Sequence, residues 1–340
     1  MKKFICTGDI HLWLRRDVPE EWQINRYRLL CQELISLCRQ HDAALIIAGD
    51  FFEKSDPTQE EVHEGLVFLR TLRQADITVW LITGNHETIA NNEDTFCYLD
   101  AGHGKTIDIN YSRDGLSYIN YPDDTQLHLV NHCNLKGYPR MTLEELNGEY
   151  EVGVKHHILV THFRCNYNMF VKEELNVAEL IAPYDLCIAG DIHDSYQDGK
   201  LIYTNTPLNK EFLKEESVNN GVLLLTIDKG THTVSRIPVS LPSLIQVTVG
   251  AGDKMPHFNK TDFYRVEVTG NLTALRELTL PVDNAKLIKV PEDSEVLLTS
   301  SEDEVEYQSR EEEYSAYLAE LDYSPDHIDR MMLVFRGGVT

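Results

Sequence analysis

The tetrapeptide GDIH occurs twice in this chain of 340 residues, in FICTGDIHLW at residues 4–13 and in LCIAGDIHDS at residues 186–195. Each copy directly follows a short apolar run that is typical of a buried β-strand. Alternate side chains of an extended segment share a face, so the Asp and the His of D-x-H can grip one ion from two sides. The two copies are either a duplicated module, a coincidence or two parts of one site.

Three more apolar runs between these copies also end in polar clusters. They are LIIA before GD (49–50), VWLIT before GNHE (84–87) and ILVT before HF (162–163). Short runs rich in Val, Ile and Leu that end at Gly or at a polar residue are typical of buried strands. The sequence therefore predicts polar side chains at the ends of five strands.

Helical periodicity separates the first three of these runs. In YRLLCQELISLCRQ the apolar side chains repeat at helical spacing (Tyr27, Leu30, Cys31, Leu34, Leu37 and Cys38). In TQEEVHEGLVFLRTL, Thr58 and Glu61 form a candidate capping box. The order strand, helix, strand, helix, strand is the βαβαβ beginning of an α/β domain, in which polar residues lie where strands run into loops.

The character of the chain changes after residue 200. The segments KLIYTNTP, GVLLLTI, HTVSRIPV and LIQVTVG predict a second sheet that closes the same domain. PVSLPS (238–243) is typical of a boundary, and FYRVEVT, the helix candidate LTALREL and AKLIKVP follow it. We therefore predict a main domain over residues 1–240, a small α/β domain over 244–292, and an acidic linker with a short helical tail over 293–340.

Composition limits the classes of partner. The net charge of −24 argues against a protein that holds nucleic acid by general electrostatic attraction. Residues 292–322 carry twelve acidic side chains and one basic residue, Arg310. This segment is either a solvated stretch or a docking surface for a basic partner. No apolar run approaches the ~20 residues that span a bilayer, so no membrane partner is expected. Seven cysteines without a CxxC pair favour a reducing cytoplasm.

The predicted strand ends offer one consistent set of metal ligands. They carry carboxylates, imidazoles and one amide: Asp9, His11, Asp50, Asn85, His86, His162, Asp191 and His193. This mixture suits divalent ions of borderline hardness, such as Mn²⁺, Fe²⁺ or Zn²⁺, better than a calcium cage or a thiolate site. Each cluster alone is weak evidence, because a single Asp after a strand is more often a cap and a single His is more often structural. Five clusters in order favour one shared site.

This ordered set resembles the signature of the calcineurin-like metallophosphoesterases, which is D-x-H, G-D, G-N-H-D/E, a lone His and G-H-x-H. The matching segments are GDIH (8–11), GD (49–50), GNHE (84–87), THF (161–163) and GDIH (190–193). Within the family the chain resembles SbcD-type nuclease subunits, in IAGDFFEKSDPTQEE, ITVWLITGNHE, LIYTNTPLNKEF and SRIPVSLPSLIQVTV. The resemblance covers roughly residues 1–290, and the overall length is similar to that of bacteriophage versions.

The resemblance implies a four-layer α-β-β-α sandwich with a small α/β capping domain, and two divalent ions, expected to be Mn²⁺ with Mg²⁺ as the alternative. Asp9, His11, Asp50 and His193 would hold the first ion, and Asp50, Asn85, His162 and Asp191 the second. Asp191 stands where the family usually has His. A third carboxylate favours hard ions; the alternative is a weak second site and a slow or inactive enzyme.

The resemblance also implies roles beside the ions. His86 is expected to face the substrate, where it stabilises the transition state or protonates the leaving oxygen, and Glu87 is expected to orient its ring. The alternative for His86 is a structural role. Glu53 is a second departure, because many relatives have at that position a histidine that helps to position DNA.

The expected activity is a 3′→5′ exonuclease on duplex DNA with endonuclease activity on single strands. The expected partners are DNA and an SbcC-type coiled-coil ATPase, in a heterotetramer built on a homodimer for which residues 88–101 are a candidate. The candidate ATPase-binding segment is the helix with Tyr314, Tyr317, Leu318 and Leu321 or the later segment IDRMMLVF, and the alternative for such an apolar stripe is a place in the core. The alternatives are a phosphatase on the same scaffold and a scaffold subunit that does not cut DNA. If the chain is phage-encoded, the compartment is the host cytoplasm.

Overall fold

A computed structural model of the chain describes residues 1–88, 116–121, 125–132, 135, 156–166, 176–276, 278–280 and 282–291. Met1–Val290 form one compact unit. Of the second unit, Pro291–Thr340, only Pro291 is described, so the predicted tail helix lies outside the described residues. Residues 89–101 of the candidate dimerisation segment also lie outside them. No helix in the described ranges is long and apolar enough to cross a membrane.

The first sheet carries three of the five predicted strand ends. Its strands are β1 (Lys2–Thr7), β2 (Ala44–Ala48), β3 (Val79–Ile82), β10 (Gly221–Asp228) and β11 (Thr231–Pro238), in the order β11-β10-β1-β2-β3. β1, β2 and β3 run parallel, so the residues that follow them leave from the same edge. Two helices join them, as predicted: α1 (Glu20–His41) and α2 (Gln59–Gln74).

Both helices have the features that their sequences predicted. All six apolar positions of α1 that were predicted from helical spacing are buried. Thr58 Oγ1 accepts a hydrogen bond from the amide of Glu61 at 3.2 Å, and the Glu61 carboxylate accepts one from the amide of Thr58 at 2.8 Å, so the capping box at the start of α2 is confirmed. The buried faces of both helices pack on one side of the first sheet.

The second sheet carries the other two strand ends. Its strands are β4 (Leu116–Tyr121), β5 (Thr125–Val130), β6 (His156–His162), β7 (Leu186–Gly190), β8 (Gln197–Asp198) and β9 (Leu201–Tyr203), in the order β4-β5-β6-β7-β9-β8. β6 and β7 are parallel neighbours, with His162 opposite Gly190. This register brings the last two polar clusters together at one edge.

The two sheets pack face to face, and this packing confirms the predicted sandwich. Apolar side chains of both sheets form one central cluster, with Phe4, Ile46 and Leu225 from the first sheet and Ile158 and Ile188 from the second. The outer face of the second sheet is covered by a further cluster that includes Val177 of the short helix α3 (Val177–Ile181). Residues buried on both faces explain why the strands are continuous apolar runs.

The partition of the segments after residue 200 differs from the prediction of one closing sheet. β10 pairs antiparallel with β1 and therefore extends the first sheet, β9 pairs with β7 in the second, and β12 (Leu244–Gly250) belongs to a third. The sequence predicted strands here but not their neighbours, because an apolar run carries no information about which distant strand it pairs with.

The third sheet consists of β12, β13 (Phe263–Gly270) and β14 (Ala285–Pro291), with the short helix α4 (Leu272–Arg276). It lies within the predicted small domain. Side chains from the beginning of the chain bind it: Trp22 Nε1 donates to the Thr261 carbonyl at 2.9 Å, and Arg265 binds Asp17 at 2.8 Å. The boundary at residues 240–244 stays a prediction.

Candidate metal centre

Most of the predicted ligands lie on unusual backbone at the strand ends. Asp9, His11, Asp50 and Asp191 have positive φ values of 52°, 48°, 50° and 98°. Left-handed backbone is uncommon for residues other than glycine and is retained where the surrounding structure enforces it, often at functional sites. At these strand ends the chain turns sharply, which aims the side chains over the edge of the sheets.

Two glycines of the motifs allow this close packing. A Cβ atom on Gly84 would collide with the carboxylate of Asp50, and one on Gly49, whose φ is +83°, would collide with the ring of His162. The Gly of GNHE and the Gly of GD are therefore required for space around the ligands.

The first group of ligand atoms joins the two copies of GDIH. His11 Nε2 and His193 Nε2 lie 3.0 Å apart, and they lie 3.8 and 3.6 Å from Asp9 Oδ1. Asp9 and His11 are buried, whereas the His193 side chain is 34% exposed. The two GDIH segments, 182 residues apart, are thus two parts of one site.

Asp50 is the centre of the arrangement. Its Oδ2 atom lies 3.6 Å from His11 Nε2, 3.4 Å from His162 Nε2 and 3.8 Å from His86 Nε2. His162 Nε2 also lies 2.9 Å from Asn85 Oδ1 and 3.9 Å from Asp191 Oδ1. One carboxylate between two groups of ligands has the position of a bridge between two ions.

These atoms fit a pair of divalent ions. Ligand atoms that bind one ion at 2.0–2.2 Å lie roughly 3.0–3.5 Å from one another. The Nε2 atoms of His11 and His193, 3.0 Å apart beside the buried carboxylate of Asp9, have that spacing. The residues present are therefore suited to a dimetal centre.

The protonation of the buried groups follows from the crowding of charges. Burial raises the pKa of Asp9 to about 8. Burial alone would lower the pKa of His162, but the carboxylates of Asp50 and Asp9 raise it to about 10. Both groups hold protons at neutral pH that ions would displace, because metal ligands bind in their deprotonated forms.

Two ligand rings are held in place by other groups. Glu53 Oε2 lies 2.7 Å from His11 Nδ1, and Lys210 Nζ lies 3.4 Å from the same carboxylate oxygen. Against the effect of burial, the contact with His11 lowers the pKa of Glu53 to about 2. His162 Nδ1 donates to the Ala48 carbonyl at 2.9 Å, so once the ring loses its second proton the lone pair is on Nε2, on the side of Asp50.

His86 lies beside Asp50 and is partly exposed. Its Nδ1 donates to the Glu53 carbonyl, and its Nε2 points to Asp50 at 3.8 Å. Its side chain is 28% exposed, whereas His11 and His162 are buried. His86 therefore borders both the centre and the solvent.

Glu87 is oriented into the protein. Its carboxylate accepts hydrogen bonds from the amides of Asp50, Phe52 and Gly84 at 3.0, 2.7 and 2.7 Å. Burial raises its pKa to about 8, with a further contribution from Asp50. These bonds favour a role in shaping the turn that holds Asp50, whereas the Nδ1 atom of His86 binds the Glu53 carbonyl.

Asp191 is bound by a residue that the sequence analysis missed. Arg164 donates to both carboxylate oxygens of Asp191, from Nε at 2.8 Å and from Nη2 at 3.0 Å. The amide of Asp191 donates to both oxygens of Asp9 at 3.0 and 3.2 Å. A signal was present, because Arg164 lies two residues after His162 and alternate residues of an extended segment share a face.

The structure thus brings all seven predicted metal ligands into one region, with His86 beside them. Groups able to hold an ion include Asp9–His11–His193 and Asp9–Asp50–His162, and also His11–Glu53–His86, so Glu53 is a further candidate ligand. Tyr314, Tyr317, Leu318 and Leu321 lie outside the described residues.

Comparisons with known proteins identify a family and several relatives. A family model described as "Calcineurin-like phosphoesterase" matches residues 2–215. A protein named "Probable exonuclease subunit 1" from Escherichia phage T5 is 29% identical over an alignment of 289 residues that covers 81% of this chain and 81% of that protein. Two solved structures are distant. A dimetal phosphatase from Danio rerio has a TM-score of 0.45 at 10% identity and covers 70% of this chain and 98% of its own. The purple acid phosphatase PPD1 from yellow lupin (Lupinus luteus) has a TM-score of 0.42 at 13% identity and covers 70% of this chain and 51% of its own.

Proposed function

The chain belongs to the calcineurin-like phosphoesterase family and is therefore a phosphoester hydrolase, and from this premise we propose that it is a metal-dependent DNA nuclease subunit. We propose a 3′→5′ exonuclease on duplex ends and an endonuclease on single strands, which serves DNA end processing, repair or recombination. The likeness to a phage protein that is named an exonuclease subunit supports this choice within the family.

One observation carries the proposal: side chains from five strand ends meet around Asp50. Asp50 Oδ2 lies within 3.8 Å of ring nitrogens of His11, His162 and His86. We propose that Asp50 bridges two ions, Mn²⁺ before Mg²⁺. Asp9, His11 and His193 would complete the first site, and Asn85, His162 and Asp191 the second.

Two such ions, when bound, would activate a water molecule and neutralise the non-bridging oxygens of the scissile phosphate. Asp9 and Asp50 supply buried negative charge that only cations or protons can offset. His86 is the proposed proton donor to the leaving oxygen, because its Nε2 atom faces the centre and its ring reaches solvent.

The partners follow from the same relationship. The word "subunit" in the name of the phage relative supports an assembly, and we propose a coiled-coil ATPase of the SbcC type with a homodimer of this chain. We propose that the C-terminal helix with Tyr314 and Leu318 binds that ATPase, and that the complex acts in the cytoplasm. A net charge of −24 makes a partner that contributes DNA-binding surface useful.

The experiment is a cleavage assay with metal-free protein that is reloaded with Mn²⁺, Mg²⁺ or Zn²⁺. The substrates are duplex DNA labelled at its 3′ or 5′ end, circular single-stranded DNA, and a matched pair of nitrophenyl phosphates, one diester and one monoester. The expected result is Mn²⁺-dependent release of nucleotides from 3′ ends and a preference for the diester.

Three outcomes contradict the proposal in different ways. Hydrolysis of the monoester alone indicates a phosphatase. Two bound ions with intact DNA, with and without an ATPase partner, indicate a scaffold subunit. Release of nucleotides from 5′ ends keeps the nuclease but reverses its polarity. The His86→Ala variant serves as a control, since it is expected to bind metal and to lose cleavage.

A further inference from the structure

The pair of Arg164 and Asp191 has a geometry that exposed ion pairs rarely reach. Both bonds of the guanidinium fork are short, at 2.8 and 3.0 Å, and they occupy both oxygens of the carboxylate. The Asp191 side chain is 5% exposed, while that of Arg164 is 41% exposed. A planar bidentate pair fixes orientation as well as charge, which a lysine cannot reproduce.

The register of the second sheet builds this pair. Strands β6 and β7 are parallel with His162 opposite Gly190, so Arg164 and Asp191 both lie just beyond that edge. Asp191 has a φ of 98° and is held on its other side by its amide, which donates to Asp9. Arg164 therefore holds the side chain of Asp191 and Asp9 holds its backbone, and Asp191 Oδ1 lies 3.9 Å from His162 Nε2.

The local charge shows why a cation is needed there. Asp9 and Asp50 are buried carboxylates, and Asp191 adds a third next to His162. Carboxylates crowded in a buried site oppose one another's ionisation unless positive charge is present. A carboxylate bound by guanidinium has no net charge, as a neutral histidine has none, so the pair can replace a neutral ligand without changing the charge of the centre.

We infer that Arg164 is a positioning residue that makes Asp191 an effective ligand of the second ion. It orients the carboxylate through two bonds and cancels its charge. The inference rests on the proposed dimetal centre and not on DNA as the substrate. It also predicts that Arg164 and Asp191 act as a unit, so that a change in one alters the effect of a change in the other.

The test is a calorimetric titration of metal-free protein with Mn²⁺, without any substrate. The wild type is expected to bind two ions, and Arg164→Gln to bind the weaker of them about 10–100-fold less tightly. Arg164→Lys restores the charge without the fork and is expected to lie between the two. Asp191→His leaves an uncompensated guanidinium beside the ions and is expected to weaken the same ion. The double variant Arg164→Gln/Asp191→His is expected to bind it more tightly than Asp191→His alone.

Controls separate this role from a general effect on folding. Arg39 in the last turn of α1 donates to the Ala75 carbonyl and is exposed, so Arg39→Gln is a matched loss of charge that should leave the titration unchanged. Thermal unfolding of the metal-free variants checks that they are folded. Restored affinity in the double variant is a result that a merely structural arginine would not produce.

Several results would overturn the inference. One is an Arg164→Gln variant that binds both ions as the wild type does; if its KM alone rises, Arg164 binds substrate instead. Another is simple additivity of the two substitutions. A wild type that takes up no Mn²⁺ overturns the metal centre itself and this role with it. If the metal titrations give the expected affinities but the protein leaves DNA uncut, only the proposed substrate is contradicted.

Discussion

The two GDIH segments have the same four letters and different surroundings. In the first, Asp9 is buried and His11 is braced by Glu53 at 2.7 Å. In the second, Asp191 is bound by Arg164, and His193 is 34% exposed. Identical motifs therefore have different tasks here: the first is part of the protein interior, and the second lies at the border with solvent.

The largest effect is expected from a substitution in the first GDIH segment, which is part of the protein interior. Asp9→Asn keeps an acceptor for the Asp191 amide but removes the charge that binds an ion. The loss of one ion should lower activity by roughly 10³-fold or more, because metal ions contribute several kcal/mol of charge stabilisation. Metal analysis and cleavage rates check this. The metal-free variant should unfold no more easily than wild type at pH 8, since burial disfavours the charged form of Asp9. Full metal content would contradict the assignment.

The next effect compares two partly exposed histidines, His86 and His193. His86→Ala should lower the rate of the chemical step by about 10²–10⁴-fold while both ions stay bound, as expected for a general acid. His193→Ala should lose metal as well. Single-turnover rates and metal content, measured in parallel, distinguish the two. Full activity of His86→Ala would leave His86 with a structural role.

A smaller effect is expected from removing the Glu53 carboxylate, which contacts His11 in the first GDIH segment. Glu53→Gln removes the charge beside His11 Nδ1 and the ion pair with Lys210. Affinity for the first ion should fall by about 10–100-fold, the usual effect of losing a group that orients a ligand. Lys210→Gln is the matched control and should have a weaker effect, since it touches the brace and not the ring. If Glu53→Gln and the wild type bind the first ion with equal affinity, Glu53 is not needed to orient His11.

The last test changes only the pH. Burial holds a proton on Asp9 up to about pH 8, and the nearby carboxylates hold one on His162 up to about pH 10, although burial opposes it. Both pKa values are raised, so the metal-free form binds more protons, and metal affinity should rise with pH between 6 and 10. Each displaced proton gives a slope of about tenfold per pH unit. Titrations in two buffers of different ionisation enthalpy count the protons released. Affinity that does not change over this range would contradict these protonation states.

Local sequence information predicted the capping box of Thr58 and Glu61 and the buried face of α1, because both depend on residues three or four positions apart. The strand-end ligands were predictable for a similar reason: each follows its own apolar run. Arg164 was missed although it lies two residues after His162, because the carboxylate that it binds lies 27 residues away and meets it only through the register of β6 and β7. The pairing of β10 with β1 was missed for the same reason.

The left-handed backbone at Asp9 and Asp50 restricts which amino acids these two positions accept, for two independent reasons. Asparagine suits such a conformation about as well as aspartate does, but it lacks the charge. Glutamate has the charge, but its longer side chain suits that backbone poorly and would place its oxygens elsewhere. The backbone conformation and the required negative charge each permit only a few amino acids, and aspartate satisfies both.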